Sequence, residues 1–421
     1  MRSFLASSIG VAAAAALALP LVAMTSVAAS SAEPPPIEEP AGSTQSLRLA
    51  PLPGADRAAD EAPEQGLAQQ EVRPFSLVGV VWDKPDDELH GSVQVRTRGR
   101  ADGTWSDWQD LETHNRDHAA DPDTSEAARP LHGSTAPLWV GDSDAVEARV
   151  RPERADGEPL PQGLRLDLVD PGTGPADEDP GDSTRDKQAP DVLPALDAAA
   201  SQAEAAEVTG TTAQARPYVG KRPRIITRKG WGADERLREG GFIYTKSVRV
   251  AFVHHTASGN GYTCAQAPSV LRGIYRYHVK SNGWRDIGYN FAVDKCGNIY
   301  EGRAGGVTKA VMGAHTLGFN TNSVGIAVLG TYNNTNPSAA ALKAIEQLSA
   351  WKLGLYGVNP TGKNTLVSGG GKGNHYKKGR SVKFNTISGH RDGFATDCPG
   401  VRLYGKLGAA RASAAHYQGR R

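Results

Sequence analysis

Two short apolar runs in the second half of the chain most strongly constrain its fold. Residues 247–254 and 323–329 each predict a buried strand. Apolar residues at helical spacing predict helices over residues 266–279 and 338–355, with Ser338 at the N-cap of the second. Strands and helices that mix along one segment are typical of an α/β domain, with a central mixed sheet flanked by helices. We place this domain at residues 216–421.

The pattern differs between residues 71 and 170. Residues 75–82 read as a buried strand, whereas residues 92–98 and 164–169 alternate apolar and polar side chains with a period of two. Short strands separated by turn signals predict a small all-β, sandwich-like module.

Two tryptophans in this module, Trp105 and Trp108, have two interpretations. They could stack on sugar rings, or they could pack against the strands, which is the commoner role. Together with residues 95–98 they resemble a β-rich module of exported actinobacterial proteins. We expect His118 and His132, like His114, to be solvated in the polar part of this module.

Three further segments lack the apolar content of a core. Residues 1–32 carry Arg2, a short apolar run and small residues at their end, which predicts a signal peptide and an exported, cell-wall-associated protein. Residues 33–70 and the acidic, Ala- and Pro-rich residues 171–215 predict linkers, the second of them partly helical over residues 195–206. No other run is long enough to span a membrane, so we expect no membrane contact after signal cleavage.

The net charge of +1 conceals two halves of opposite sign. Residues 216–421 hold 31 Lys and Arg against 9 Asp and Glu, while residues 1–215 hold 16 against 37. A basic half of this strength attracts anionic partners, and for an exported protein these are peptidoglycan and anionic cell-wall polymers. The alternative is neutralisation by the acidic half of the same chain. Export and the absence of a nucleic-acid-binding motif argue against nucleic acid.

Spacing alone raises the hypothesis of a metal site. His254 and His255 end one predicted strand, His390 follows another, and Cys398 lies eight residues later. Because neighbouring residues on a strand point to opposite faces, only one of the paired histidines can face a given metal. Two imidazoles and a thiolate form a three-ligand zinc set with a fourth position open for water. With Cys264 and Cys296, the three cysteines allow three disulfide pairings.

Six ordered segments extend this hypothesis. They are residues 226–233, 252–257 (FVHHTA), 277–291 (YHVKSNGWRDIGYNF), 299–303 (IYEGR), 313–315 (GAH), and 389–400, which contains GHRD and TDCPG. In sequence and order they resemble the peptidoglycan recognition protein family, also called type-2 N-acetylmuramoyl-L-alanine amidases. The resemblance covers nearly all of residues 224–410.

The resemblance implies a role for individual residues. His254, His390 and Cys398 correspond to the zinc ligands, with Tyr289 and Thr396 as catalytic residues. Substrate contacts fall to four residues: His255, Trp284, Arg303 and His315. With Cys398 assigned to Zn²⁺, a disulfide is implied between Cys264 and Cys296.

The implied activity is hydrolysis of the amide between N-acetylmuramic acid and L-Ala of peptidoglycan. The alternative is a recognition protein that binds peptidoglycan without cutting it. Members that only bind have typically lost a zinc ligand, most often the cysteine, so the retained set favours catalysis. We expect a monomer.

Overall fold

The computed structural model describes residues 42–52, 64–113, 115–153, 159–174, 191–212 and 217–421. The predicted signal peptide and His114 lie outside these residues. No helix among them is long and apolar enough to cross a membrane.

The first half of the chain forms one hydrogen-bonded sheet of eight strands, which confirms the predicted all-β module. Its strands are β1 (Ser43–Arg48), β2 (Ala50–Pro51), β3 (Gln65–Trp82), β4 (Gly91–Gly99), β5 (Gln109–Leu111), β6 (Gly133–Ser134), β7 (Leu138–Pro152) and β8 (Arg165–Asp170). Six of them run in the order β1-β8-β3-β7-β4-β5, and the short β2 and β6 also pair with β3. The long strand β3 carries several register shifts along β7.

Both predicted linkers contain ordered elements. In residues 171–215, Val192–Leu193 join the sheet of the second half and Ala198–Thr209 form a helix that packs on its core. In residues 33–70, residues 43–48 form strand β1. They pair with β8 in antiparallel register from Ser43 opposite Asp170 to Arg48 opposite Arg165. The segment has few large apolar residues, but Leu47 and Leu49 pack on the core of the module, and β8 supplies most of the buried side of the pair. Trp108 lies under the guanidinium of Arg149, 4.0 Å from the ring centroid, and so packs on the sheet.

The second half is built on a mixed seven-stranded sheet, as predicted. Its strands are β9 (Val192–Leu193), β10 (Ile225–Ile226), β11 (Val250–His255), β12 (Phe291–Val293), β13 (Ile299–Glu301), β14 (Ser323–Val328) and β17 (Ile387–Gly389). They run in the order β17-β11-β14-β12-β13-β10-β9. Strands β17, β11, β14 and β12 are mutually parallel. A separate hairpin consists of β15 (Lys363–Val367) and β16 (Ser381–Asn385).

Five helices accompany this sheet: α1 (Ala198–Thr209), α2 (Ala267–Arg276), α3 (Ala339–Leu355), α4 (Val401–Tyr404) and α5 (Leu407–Tyr417). The Ser338 hydroxyl caps α3 by accepting from the Ala341 amide, as its position predicts. Helices α1, α3 and α5 share one core with alternate residues of β11 and β14. Helix α2 covers the opposite face and runs into a π-helical turn over Tyr277–Ser281.

The β module also packs on the α2 side of the central sheet. Leu77, Val81 and Trp139 of the module share one apolar core with Leu271 and Ile274 of α2. Both halves belong to one compact unit, Pro40–Arg421. The β module is therefore a packed part of the same body and covers part of the same face of the sheet that α2 covers.

Candidate metal centre

The parallel arrangement of β11 and β17 brings two histidines together. Val253 of β11 lies opposite Gly389 of β17, so His254 and His390 each come one residue later, at the carboxyl ends of neighbouring strands. Val253 points into the core beneath α3, so His254 points to the other face. Their Nδ1 atoms are 3.2 Å apart, and both side chains are fully buried.

Cys398 reaches the same point through a loop that returns to His390. The Arg391 amide donates to the Cys398 carbonyl at 3.0 Å, which closes the loop beside the 3-10 turn at His390–Asp392. The Cys398 Sγ lies 3.7 Å from His254 Nδ1 and is buried. His255 faces away and accepts a hydrogen bond from the Tyr332 amide.

A fourth donor comes from the β module, where the prediction for His118 was wrong. His118 was expected to be solvated, but it is only 6% exposed, and its Nε2 atom lies 3.8 Å from Cys398 Sγ. The donor atoms of His118, His254, His390 and Cys398 all lie within 4.8 Å of one another. The sequence offered only an acidic residue before this histidine, 136 residues from the nearest predicted ligand.

The donor set fits a zinc ion on its geometry. A tetrahedral zinc with bonds of about 2.1 Å to nitrogen and about 2.3 Å to sulfur separates its donors by about 3.3 to 3.6 Å. Three of the six separations, 3.2, 3.7 and 3.8 Å, are close to these edges, and all six are within 4.8 Å. Three imidazoles and a thiolate are ligands that zinc prefers over magnesium or calcium.

The charges of the pocket fit a dication as well. Burial lowers the pKa of His254, and it lowers that of His390 to about 3, so both imidazoles are neutral and able to donate a lone pair. Burial raises the pKa of the Cys398 thiol, so its thiolate form requires a compensating positive charge. A dication balances that thiolate and one carboxylate, and Asp117 supplies the carboxylate.

Asp117 lies beside His118 at the edge of the cluster. Its Oδ1 is 3.0 Å from His118 Nδ1, and its Oδ2 is 3.6 Å from His390 Nδ1. Burial opposes ionisation, but the imidazoles of His118 and His390 outweigh it and lower the pKa of Asp117. A carboxylate on the far nitrogen of a histidine is the usual support for a metal ligand.

The two predicted catalytic side chains lie next to this cluster. The Tyr289 ring is 5.6 Å from both the His118 and the His254 ring centroids and is 4% exposed. Burial raises the pKa of the Tyr289 phenol well above its usual range, which keeps it protonated. The Thr396 hydroxyl accepts from the Cys398 amide at 3.1 Å.

The predicted substrate-contacting residues are spread around the cluster. His315 is fully buried, 5.2 Å from the His254 ring, with its Nδ1 on the Thr316 hydroxyl. Trp284 stacks on His278 and lines a cavity of 260 Å³ that His118 also lines. Arg303 is buried and forms an ion pair with Glu126 of the β module. Asp117 and Glu126, like His118, were not predicted to belong to the site.

The disulfide prediction is confirmed. Cys264 and Cys296 are bonded, with their Cα atoms 6.2 Å apart. The bond joins the segment just before α2 to the turn between β12 and β13, and it leaves Cys398 as the free thiol at the cluster.

Two family models match separate parts of the chain. One, described as N-acetylmuramoyl-L-alanine amidase, covers residues 244–401 and includes His254, His390 and Cys398. The other, described as Rv3811 N-terminal galactose-binding domain-like, covers residues 28–189 and includes His118.

Individual proteins resemble the second half. Peptidoglycan-recognition protein SC2 of Drosophila simulans is 31% identical over 183 residues, which are 44% of this chain and 84% of that protein. Peptidoglycan recognition protein 1 of Bos indicus is 32% identical over 186 residues, 43% of this chain and 80% of that protein. The structure of wild-type Drosophila PGRP-LB, 26% identical, covers 44% of this chain and 92% of its own, with a TM-score of 0.35. The chain belongs to the peptidoglycan recognition protein and amidase-2 family.

Proposed function

We propose that the chain is an exported, zinc-dependent N-acetylmuramoyl-L-alanine amidase with its catalytic domain at residues 216–421. The observation that carries the proposal is the convergence of His254, His390 and Cys398 beside a protonated Tyr289. All four residues lie in the part of the chain that matches the amidase family model. A zinc ion at these ligands would supply a Lewis acid for the scissile carbonyl and an activated water.

The surrounding residues have separate tasks in this reaction. The Tyr289 phenol, kept protonated by burial, donates a hydrogen bond to the oxygen that gains negative charge as the amide is attacked. The Thr396 hydroxyl holds the Cys398 amide and so fixes the position of the thiolate. A hydrogen bond donor that is already in place at such an oxygen contributes about 3 kcal/mol to catalysis.

Substrate recognition follows from charge. The stem peptide of peptidoglycan carries carboxylates, and the Arg303 guanidinium, which Glu126 holds in this structure, would bind one in the same two-pronged geometry once Glu126 is displaced. The excess of positive charge in residues 216–421 would draw the domain to peptidoglycan and other anionic wall polymers. Named relatives are peptidoglycan recognition proteins, in keeping with this substrate class.

Binding without cleavage is the second candidate function, and one observation favours it. Four protein ligands are typical of a structural zinc site, whereas a catalytic site keeps one position open. His118 supplies such a fourth donor.

One experiment separates the two functions. The zinc-loaded full chain and its His118→Ala variant are incubated with purified muropeptides, and new L-Ala amino termini are quantified. Cys398→Ser is the metal-site control, and His375→Ala, at an exposed histidine, is the matched control. We expect release that chelator and Cys398→Ser abolish and His375→Ala does not. If neither the wild-type chain nor His118→Ala releases L-Ala amino termini, and both cosediment with insoluble peptidoglycan, the binding function is established instead.

A further inference from the structure

We propose that His118 is the fourth protein ligand of the metal, and that residues 115–135 of the β module hold the amidase in a latent state. This inference rests on the proposed function. It differs from it because the residues involved lie outside the part of the chain that matches the amidase family model.

His118 has the position and the hydrogen-bonded support of a metal ligand. Its Nε2 is directed at the cluster, and its ring stands nearly perpendicular to that of His390, with centroids 4.6 Å apart. Its other ring nitrogen, Nδ1, bonds the buried Asp117 carboxylate. This bond fixes the ring orientation and the tautomer in which Nε2 carries a lone pair for a metal. This arrangement is expected of a metal ligand and has no purpose in a solvated loop.

Two acidic residues of the same segment accept hydrogen bonds from a guanidinium and from amide groups of the amidase domain. Asp121 accepts from the backbone amides of Gly318 and Asn320, at 2.8 and 3.2 Å, and from the Asn320 side chain. Glu126 takes both ends of the Arg303 guanidinium. These are donors that an acidic peptide would use, so the segment resembles a bound anionic ligand.

The far end of the segment is attached to the turn that follows α2. The His132 ring and backbone bond the carbonyls of Ser281 and Asn282, and the Arg129 guanidinium bonds that of Gly283. Tyr277 donates to the Thr135 carbonyl at 3.2 Å. Residues 115–135 are therefore attached at both ends and in the middle.

Closure has a chemical consequence. With His118 in the fourth position, no site remains for a water or a carbonyl oxygen on the metal. The cavity on the Thr396 side of the cluster measures 10 Å³, about enough for a single water. The 260 Å³ cavity on the other side is lined by His118 and Asp117. Hydrolysis thus requires that His118 leave the metal, which would join this cavity to the ligand cluster.

The coordination is tested directly on the full chain. Zinc K-edge X-ray absorption of the wild-type protein should show three imidazoles and one sulfur. Two imidazoles, one sulfur and an oxygen would overturn the ligand assignment. In the Co²⁺-loaded form, we expect azide to leave the wild-type visible spectrum unchanged and to shift that of His118→Ala. His90→Ala, a partly exposed histidine of the same module, should behave as wild type.

Latency is tested by activity in the same preparations. His118→Ala should release L-Ala amino termini at least about tenfold faster than wild type, because an open position restores metal-activated water. Equal rates with three imidazoles on the wild-type metal would refute latency. Three imidazoles with no release from either protein would uphold the ligand but reject the amidase. If His118→Ala does not fold, the wild-type X-ray absorption spectrum still decides the ligand assignment. The Glu126→Gln variant then takes the place of His118→Ala in the rate comparison.

Discussion

Glu126 and Arg303 form a two-pronged ion pair across 177 residues of sequence, with nitrogen–oxygen distances of 2.7 and 2.9 Å. Their side chains are 0% and 4% exposed. Burial lowers the pKa of the guanidinium, but Glu126 outweighs it and the net shift is upward. The pair therefore joins the β module to the second half of the chain inside the protein, where both side chains are shielded from solvent.

Removing Glu126 should be costly. Glu126→Ala leaves a buried guanidinium without its carboxylate, which typically destabilises a protein by about 3–5 kcal/mol. Chemical denaturation of the full chain measures the loss. Asp123→Ala is the matched control, since Asp123 pairs with Lys378 on the surface, where such pairs contribute about 0–1 kcal/mol. Equal losses from the two variants would contradict the buried role of Glu126.

Metal removal should lower the stability of the whole unit. The four candidate donors come from both halves of the chain, and a metal that binds only the folded state stabilises it by about 2.7 kcal/mol at 100 times its Kd. We expect calorimetry to show a Tm lower by several degrees after chelation. Cys398→Ser should have the lower Tm with or without chelator. A wild-type Tm that does not respond to chelator would argue against a metal in this cluster.

The part of this centre that local sequence patterns could predict is the pair of histidines on the central sheet. His254 lies near the end of β11 and His390 directly follows β17, and parallel neighbours bring such residues to one edge of a sheet. Cys398 lies in a loop, where motif spacing and the family resemblance, rather than periodicity, indicated it. The cap of α3 at Ser338 could be predicted as well, because it involves only residues that are close in sequence. The contribution of His118 depends on how the β module packs, and no periodicity in residues 115–135 encodes that packing. Strand β1 was missed for the same reason, since its partner is more than 100 residues away.

The contact between the β module and the π-helical turn predicts a large effect from a small substitution. A Cβ at Gly79 would lie 2.2 Å from the Tyr277 hydroxyl, so Gly79→Ala forces the strand and the turn apart. We expect a loss of about 1–3 kcal/mol, as for other overpacked cores. Replacing Tyr277 by Leu in the same chain should recover part of that loss in denaturation experiments.

The control for Gly79→Ala is a glycine around which an added Cβ atom has open space. Gly408 lies in α5, and a Cβ there meets no atom within 4 Å. Gly408→Ala should stabilise by up to about 1 kcal/mol, because alanine favours the helix. If Gly79→Ala behaves in the same way, the β module does not pack against Tyr277 as closely as described.

Lys352 predicts the dependence of stability on pH. This lysine of α3 is 2% exposed, and its Nζ donates to the carbonyls of Val307 and Lys309 at 2.6 and 2.7 Å. Burial lowers its pKa to about 7, against the opposing charges of Glu204 and Glu301. Between that value and the unfolded pKa of about 10.4, the unfolded chain binds a proton that the folded chain does not. Stability must therefore rise with pH in this window.

The Lys352→Met variant isolates that contribution. The free energy of unfolding of wild type minus variant should increase from pH 7 to pH 9.5, by at most about 1.4 kcal/mol per pH unit. Below pH 7 both states are protonated, so the difference should become constant. Lys343→Met, at an exposed position on the same helix, is the matched control and should give a flat difference. A Lys352 difference that is flat or falls between pH 7 and 9.5 would mean that the buried lysine keeps its proton when folded.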